Sequence, residues 1–173
     1  MTGNGMEFKI ATTYGGAFGR LARMLGLRWN HIIIVQFSDG QPVTTYESNT
    51  LRGVHQHPFR ADPDLAWEHQ WYEAVEPFTE TEAVCFGWYC DGMCGKAYAL
   101  HYWPLLLWRV ITNLLTKPSR ALLVPAETCI TFVNEACAAV GRPVTVHGSR
   151  GLPDDIMSSP HWERVGDDRR EEH

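Results

Sequence analysis

The sequence has no surplus of positive charge. Fifteen Lys and Arg stand against twenty Asp and Glu, a formal charge of −5 with a pI near 5.9. That balance argues against nucleic acid as a partner, because a phosphate-backbone binder needs a basic face. A run of about twenty apolar residues, the length a spanning helix requires, is also missing. The most apolar stretch, 98–115, is interrupted by His101, Pro104, Arg109 and Asn113. It reads as a buried or surface-docked helix opening near Pro104, so no transmembrane segment is expected. The opening Met1-Thr2-Gly3-Asn4-Gly5 is polar, with no apolar core and small-residue cleavage site behind it. The expected setting is therefore cytoplasmic and reducing. Cysteine is odd in number, at 85, 90, 94, 129 and 137, which excludes a complete set of internal disulfides. Free thiols are expected, at least three of them as small buried hydrophobes. Internal repeats are absent.

What is present suits a globular chain. Apolar residues make up 45% and aromatics 12% of 173 residues, enough for one core without staples. A single domain is expected over 1–165, followed by a charged, disordered tail at 166–173. The class expected is α+β, a central antiparallel sheet with packed helices. Residues 8–13 read as a strand, 14–16 as a turn and 17–27 as a helix. The strongest strand is 30–37, Asn-His-Ile-Ile-Ile-Val-Gln-Phe, whose continuous β-branched run predicts burial on both faces. Asp39-Gly40 signals a hairpin returning through 43–48. Residues 50–70 read as a loop, 70–75 and 83–89 as strands, and 94–100 and 104–115 as helices. A short apolar segment follows at 121–124. The 127–141 stretch is a helix with Thr128 as its cap and Gly141 at its C-terminal end. Residues 153–156 open a further turn.

Three residues are candidates for chemistry. Cys129 lies in the first turn of its helix, where exposed N–H groups and the macrodipole favour a thiolate, the nucleophilic form of cysteine. Cys137, on the same face, reads as core. His31 opens the apolar strand and is a candidate general base. Glu47, on the return strand, is a candidate to orient the His31 ring. Register decides that role. A two-residue Asp39-Gly40 turn pairs Ser38 with Gln41 and sends Glu47 to the opposite face from His31. A three-residue loop with a bulge pairs Ser38 with Pro42 and sets Glu47 opposite Ile33, diagonal to His31.

Together these segments resemble the circularly permuted NlpC/P60 families of the papain-like superfamily. Those families place a His at the head of a hydrophobic strand, a Glu on the next strand, a Gly-Val pair, and much later a Cys heading a helix. The matching residues here are Trp29-Asn30-His31-Ile32-Ile33-Ile34, then Tyr46-Glu47-Ser48 with Gly53-Val54, then Thr128-Cys129-Ile130-Thr131-Phe132-Val133, running to Gly141. The resemblance extends over about residues 8–162, from the opening strand to Pro153-Asp154-Asp155-Ile156-Met157 and Pro160. Ile130 departs from it, replacing a small polar residue, and the 85–116 stretch is unusually rich in Trp and Cys. The resemblance implies a cysteine peptidase or amidase of permuted papain-like fold, acting on a peptide or other amide substrate through a thioester. Cys129 would be the nucleophile, His31 the base and Glu47 its orienting group, with Tyr14 or Tyr89 near the cysteine. No cofactor is implied. A wall-directed substrate would require a release route such as lysis, as for a phage product.

Three other readings compete. Cys85, Cys90, Cys94 and His101 cluster within seventeen residues, but only Cys90 and Cys94 have the spacing of a zinc pair. His55, His57 and His69 form a weaker cluster, read as an exposed loop. The permuted order is shared by lecithin retinol acyltransferase-like acyltransferases, although of their Asn-Cys-Glu-His-Phe run only the Cys and Phe survive in Cys129-Ile130-Thr131-Phe132. A catalytically inactive papain-like binding module is the non-enzymatic alternative.

Overall fold

The computed structural model describes residues 6–14, 31–49, 52–60, 68–97, 129–145, 156 and 159–165. Six strands, β1 (Met6–Tyr14), β2 (His31–Ser38), β3 (Gln41–Asn49), β4 (Gly53–Pro58), β5 (Glu68–Ala74) and β6 (Trp162–Val165), form one sheet in the order β4-β3-β2-β1-β5-β6. Every neighbouring pair is antiparallel. Two helices, α1 (Glu80–Met93) and α2 (Cys129–Ala139), complete the described elements, and the class is α+β.

Strand β2 explains the layering. Side chains alternate along a strand, and β2 is apolar at both parities. Ile32 and Ile34 join Phe8 and Ile10 of β1 in a core with Phe86 and Cys90 of α1 and Phe132, Val133 and Cys137 of α2. Ile33, Val35 and Phe37 face the other way, into a second cluster with Ala11 and Trp71. The expected two-sided burial is observed. Each fully buried isoleucine contributes about 2 kcal/mol of apolar transfer free energy, so β2 is the strand on which both layers depend.

The β2–β3 hairpin combines features of both expected registers. Asp39 (φ 53°) and Gly40 (φ 74°) make a two-residue turn of the type I′ kind, and Ser38 pairs with Gln41. The ladder then shifts between Gln36 and Phe37, so that Phe37 pairs with Pro42 but Gln36 with Thr44. The extra residue, Val43, is a β-bulge, half-exposed at 46%. Below it Ile34 pairs with Tyr46, which sets Glu47 opposite Ile33.

Three expectations are corrected. Residues 83–89 are not a strand but the middle of α1. Thr79 caps that helix through a reciprocal box with Glu82, and Ala83, Phe86, Cys90 and Met93 are buried at helical spacing. The β-branched and aromatic composition of Val84-Cys85-Phe86 obscured that period. Within 50–70, residues 53–58 are strand β4, whose alternation Val54, Gln56 against His55, His57 was hidden by its polarity. Within 94–100, residues 94–97 are not helical; Gly95 has φ 92°, and the turn clasps β4 through Val54 N to Lys96 O (2.9 Å) and Gly95 N to Val54 O (2.8 Å). Gly53 permits this approach, since a Cβ there would lie 2.1 Å from the Lys96 carbonyl oxygen. Strand β6 was not anticipated. The expected helices at 17–27 and 104–115, the 121–124 segment, the Thr128 cap and the 166–173 tail lie outside the described residues. No helix among the described residues is long and apolar enough to cross a membrane.

Gly141 ends α2 as expected. At φ 74° it lets Arg142 N reach Cys137 O (2.8 Å) and Gly141 N reach Ala138 O (2.9 Å), the paired bonds of a Schellman motif.

Candidate active site

His31 is the first residue of β2 and Cys129 the first of α2. Helix α2 packs across β2 and β3, which brings these two element heads together. Cys129 and Glu47 are both hydrogen-bond partners of the His31 side chain. His31 Nε2 and Glu47 Oε2 are 2.8 Å apart. The three candidate residues thus form one contiguous chain, sulfur to imidazole to carboxylate. Cys129 is buried at 8% exposure, against the core, while the side chains of His31 and Glu47 retain 23% and 19%.

The electrostatics follow from that contact. Burial alone would lower the His31 pKa. The hydrogen bonds of Cys129 and Glu47, then their charges, outweigh burial and raise it from 6.5 to about 10. Glu47 responds in the opposite sense. Burial would raise it, but the His31 hydrogen bond and charge, the Asn49 hydrogen bond and the His55 charge bring it down to about 2. The pair is therefore imidazolium and carboxylate through the neutral range.

No protein-family model matches the chain, and no curated protein matches it.

Glu47 is more heavily engaged than the sequence suggested. Its second oxygen, Oε1, accepts from Asn49 Nδ2 at 3.0 Å and lies 3.1 Å from His55 Nε2 and 3.6 Å from His57 Nε2. The β3–β4 register pairs Glu47 with His55 and Thr45 with His57, so both imidazoles stand on the Glu47 face. The structure puts His55 and His57 on strand β4 rather than in the exposed loop expected for them with His69. His69 is on β5, edge-on to Trp71. The signal available was the His-x-His alternation directly after Gly53-Val54.

The remaining cysteines contrast with Cys129 in their partners. All five thiols are free. Burial pushes Cys90 and Cys137 well above the usual thiol range, and Cys94 is raised by burial and by Asp91. Such thiols stay protonated and act as packing groups. Cys94 Sγ donates to the Cys90 carbonyl oxygen at 3.4 Å, while Cys85 is exposed on the same helix. Among the described residues, the group of three potential ligands that gathers within metal-binding reach is Glu47, His55 and His57 and not the cysteines; His101 lies outside the described residues. Of the two tyrosine candidates, Tyr89 donates to Glu135 Oε2 at 3.2 Å, and the side chain of Tyr14 lies outside the described residues.

Proposed function

We propose that the chain is a cysteine hydrolase of the peptidase or amidase type, on a permuted papain-like fold, cleaving an amide bond through a thioester. The observation that carries the proposal is the His31 ring held between Cys129 and Glu47. With Nε2 on the carboxylate, Nδ1 is the ring nitrogen left for the cysteine. An imidazolium beside a cysteine favours the thiolate, and a carboxylate behind the imidazole fixes its orientation and stabilises its charge. The antiparallel sheet, with the histidine strand preceding the cysteine helix, supports the permuted order.

The reaction follows in two halves. Cys129 Sγ bonds to the carbonyl carbon, and the oxygen takes up the electron pair, with the Cys129 backbone N–H at the head of α2 as the donor offered to it. As the tetrahedral species collapses, the C–N bond breaks and His31 gives its proton to the departing amine, leaving a thioester. Neutral His31 then takes a proton from water as the hydroxyl adds to the thioester carbon. Collapse expels the sulfur, restoring the Cys129–His31 pair and releasing the acid. Glu47 remains ionised throughout.

An activated ester tests this without knowledge of the substrate. With p-nitrophenyl acetate, a burst of nitrophenolate and an acetyl group on Cys129, found by peptide mass spectrometry, are expected. Cys129→Ala abolishes the burst, and His31→Ala slows it by about 100-fold or more, the scale of a lost acid–base group. Acetylation spread over other cysteines, or none at all, contradicts the proposal.

A further inference from the structure

We propose that Glu47 Oε1, His55 Nε2 and His57 Nε2 form a binding site for a divalent transition metal of the zinc class. The three atoms lie within 4.8 Å of one another. Tetrahedral zinc with bonds of about 2.0–2.2 Å sets its ligands roughly 3.4 Å apart, and the 3.1 and 3.6 Å separations from Oε1 bracket that value.

A second observation points to a cation between these groups. His55 Nδ1 meets the Gly53 carbonyl oxygen at 3.1 Å, and His57 Nδ1 meets that of Pro58 at 3.0 Å. A carbonyl oxygen only accepts, so both Nδ1 atoms carry the hydrogen. A charged ring gives Glu47 Oε1 an Nε2 proton, and a neutral ring turns an Nε2 lone pair on it instead. With both rings neutral, three electron-rich atoms converge, and a divalent cation placed among them takes the place of the protons and turns repulsion into coordination. Metal-bound histidines characteristically donate their other ring nitrogen to a backbone carbonyl, which is the arrangement found. The rings stand beside each other at 5.5 Å and 33°, as two ligands from i and i+2 of one strand must.

Two imidazoles and one carboxylate suit zinc-class ions better than magnesium or calcium, which prefer all-oxygen sets. The ligand side chains keep 17–23% exposure, so water has access to a further coordination position. Asn49 occupies one lone pair of Oε1 and leaves the other for the ion. Glu47 divides its oxygens between two tasks, Oε2 holding His31 and Oε1 the metal. Metal binding therefore does not rest on the cysteine chemistry.

Zinc binding to the full chain, by equilibrium dialysis and by titration calorimetry with Zn²⁺, tests the site. One equivalent per chain is expected, with affinity weakened at least about tenfold in His55→Ala and again in His57→Ala, since loss of a supporting contact alone costs about 10–100-fold. Cys90→Ser/Cys94→Ser is expected to bind as the parent does. Co²⁺ loaded on the unmodified chain gives a readout independent of variant folding: visible d–d bands without a thiolate-to-cobalt charge-transfer band. Substoichiometric zinc, parent-like affinity in a folded His55→Ala or His57→Ala variant, or a thiolate band overturns the proposal.

Discussion

At the scale of single residues, the site turns on one proton. His31 holds it because Cys129 and Glu47 together outweigh the cost of burying an imidazolium. The expected consequence is a His31 imidazole that titrates near 10, observable in the ring proton shifts, and nearer the ordinary 6.5 in Glu47→Gln. Titration of the parent near 6.5 would contradict it. The sign for stability follows. The raised His31 value contributes stability that is full below about 6.5 and is lost as pH rises through about 10. The lowered Glu47 value contributes stability that is full above about 4.5 and is lost as pH falls through about 2. Denaturant midpoints are therefore expected to decline on both sides of roughly pH 4.5–6.5, and Glu47→Gln to flatten the acid side. Cys129 and His31 were legible as candidates because each heads an element whose apolar period is strong. His55 and His57 were not, because their role depends on a strand partner that polar residues do not announce.

At the scale of elements, the decisive feature is a single bulged residue. Asp39-Gly40 signalled the turn, and the turn formed. Nothing in Gln41-Pro42-Val43-Thr44 announces that the ladder slips one residue later, yet that slip puts Glu47 on the His31 side. A one-residue change of register moves every side chain to the other face. Deleting Val43 removes the bulge and still pairs Gln36 with Thr44, and so Ile33 with Glu47. The His31 titration is therefore expected to stay near 10 while the circular dichroism of the sheet persists. A fall toward 6.5 would show that the bulge itself, and not the register below it, holds Glu47 on His31. Helix α1 teaches the complementary lesson. Thr79-Glu80-Thr81-Glu82 is a readable capping box, but the strand-like composition behind it outweighed the signal, and tertiary burial of Ala83, Phe86, Cys90 and Met93 decided the element.

At the scale of the molecule, the helical layer is tied to the sheet at the end of α2. Arg142 bonds the carbonyl oxygens of Glu76 and Pro77 and the Glu82 carboxylate, and stacks over Phe78, while its own carbonyl oxygen accepts from Trp162 Nε1 at 2.9 Å. This junction connects α1, the C-terminal end of α2 and β6. The core below it includes Cys137, fully buried. Cys137→Ala is expected to cost about 1 kcal/mol or more in urea unfolding while preserving thiol reactivity at Cys129. A loss of that reactivity equal to the loss in Cys129→Ala would make the site indistinguishable from core packing. The antiparallel, two-sided β2 was legible because burial on both faces leaves no polar position in Ile32-Ile33-Ile34-Val35. The order of strands was not legible, since β5 and β6 join the sheet through pairings remote in sequence.

The most direct test of the central claim is the alkylation rate of each cysteine by iodoacetamide in the native chain, followed by peptide mass spectrometry from about pH 5 to 9, a range that brackets the free thiol pKa. The account predicts that Cys129 reacts fastest at the acid end, that His31→Ala removes this advantage, and that Cys90 and Cys137 stay slow throughout. A Cys129 no faster than Cys137, or one indifferent to His31→Ala, would contradict an activated Cys–His pair.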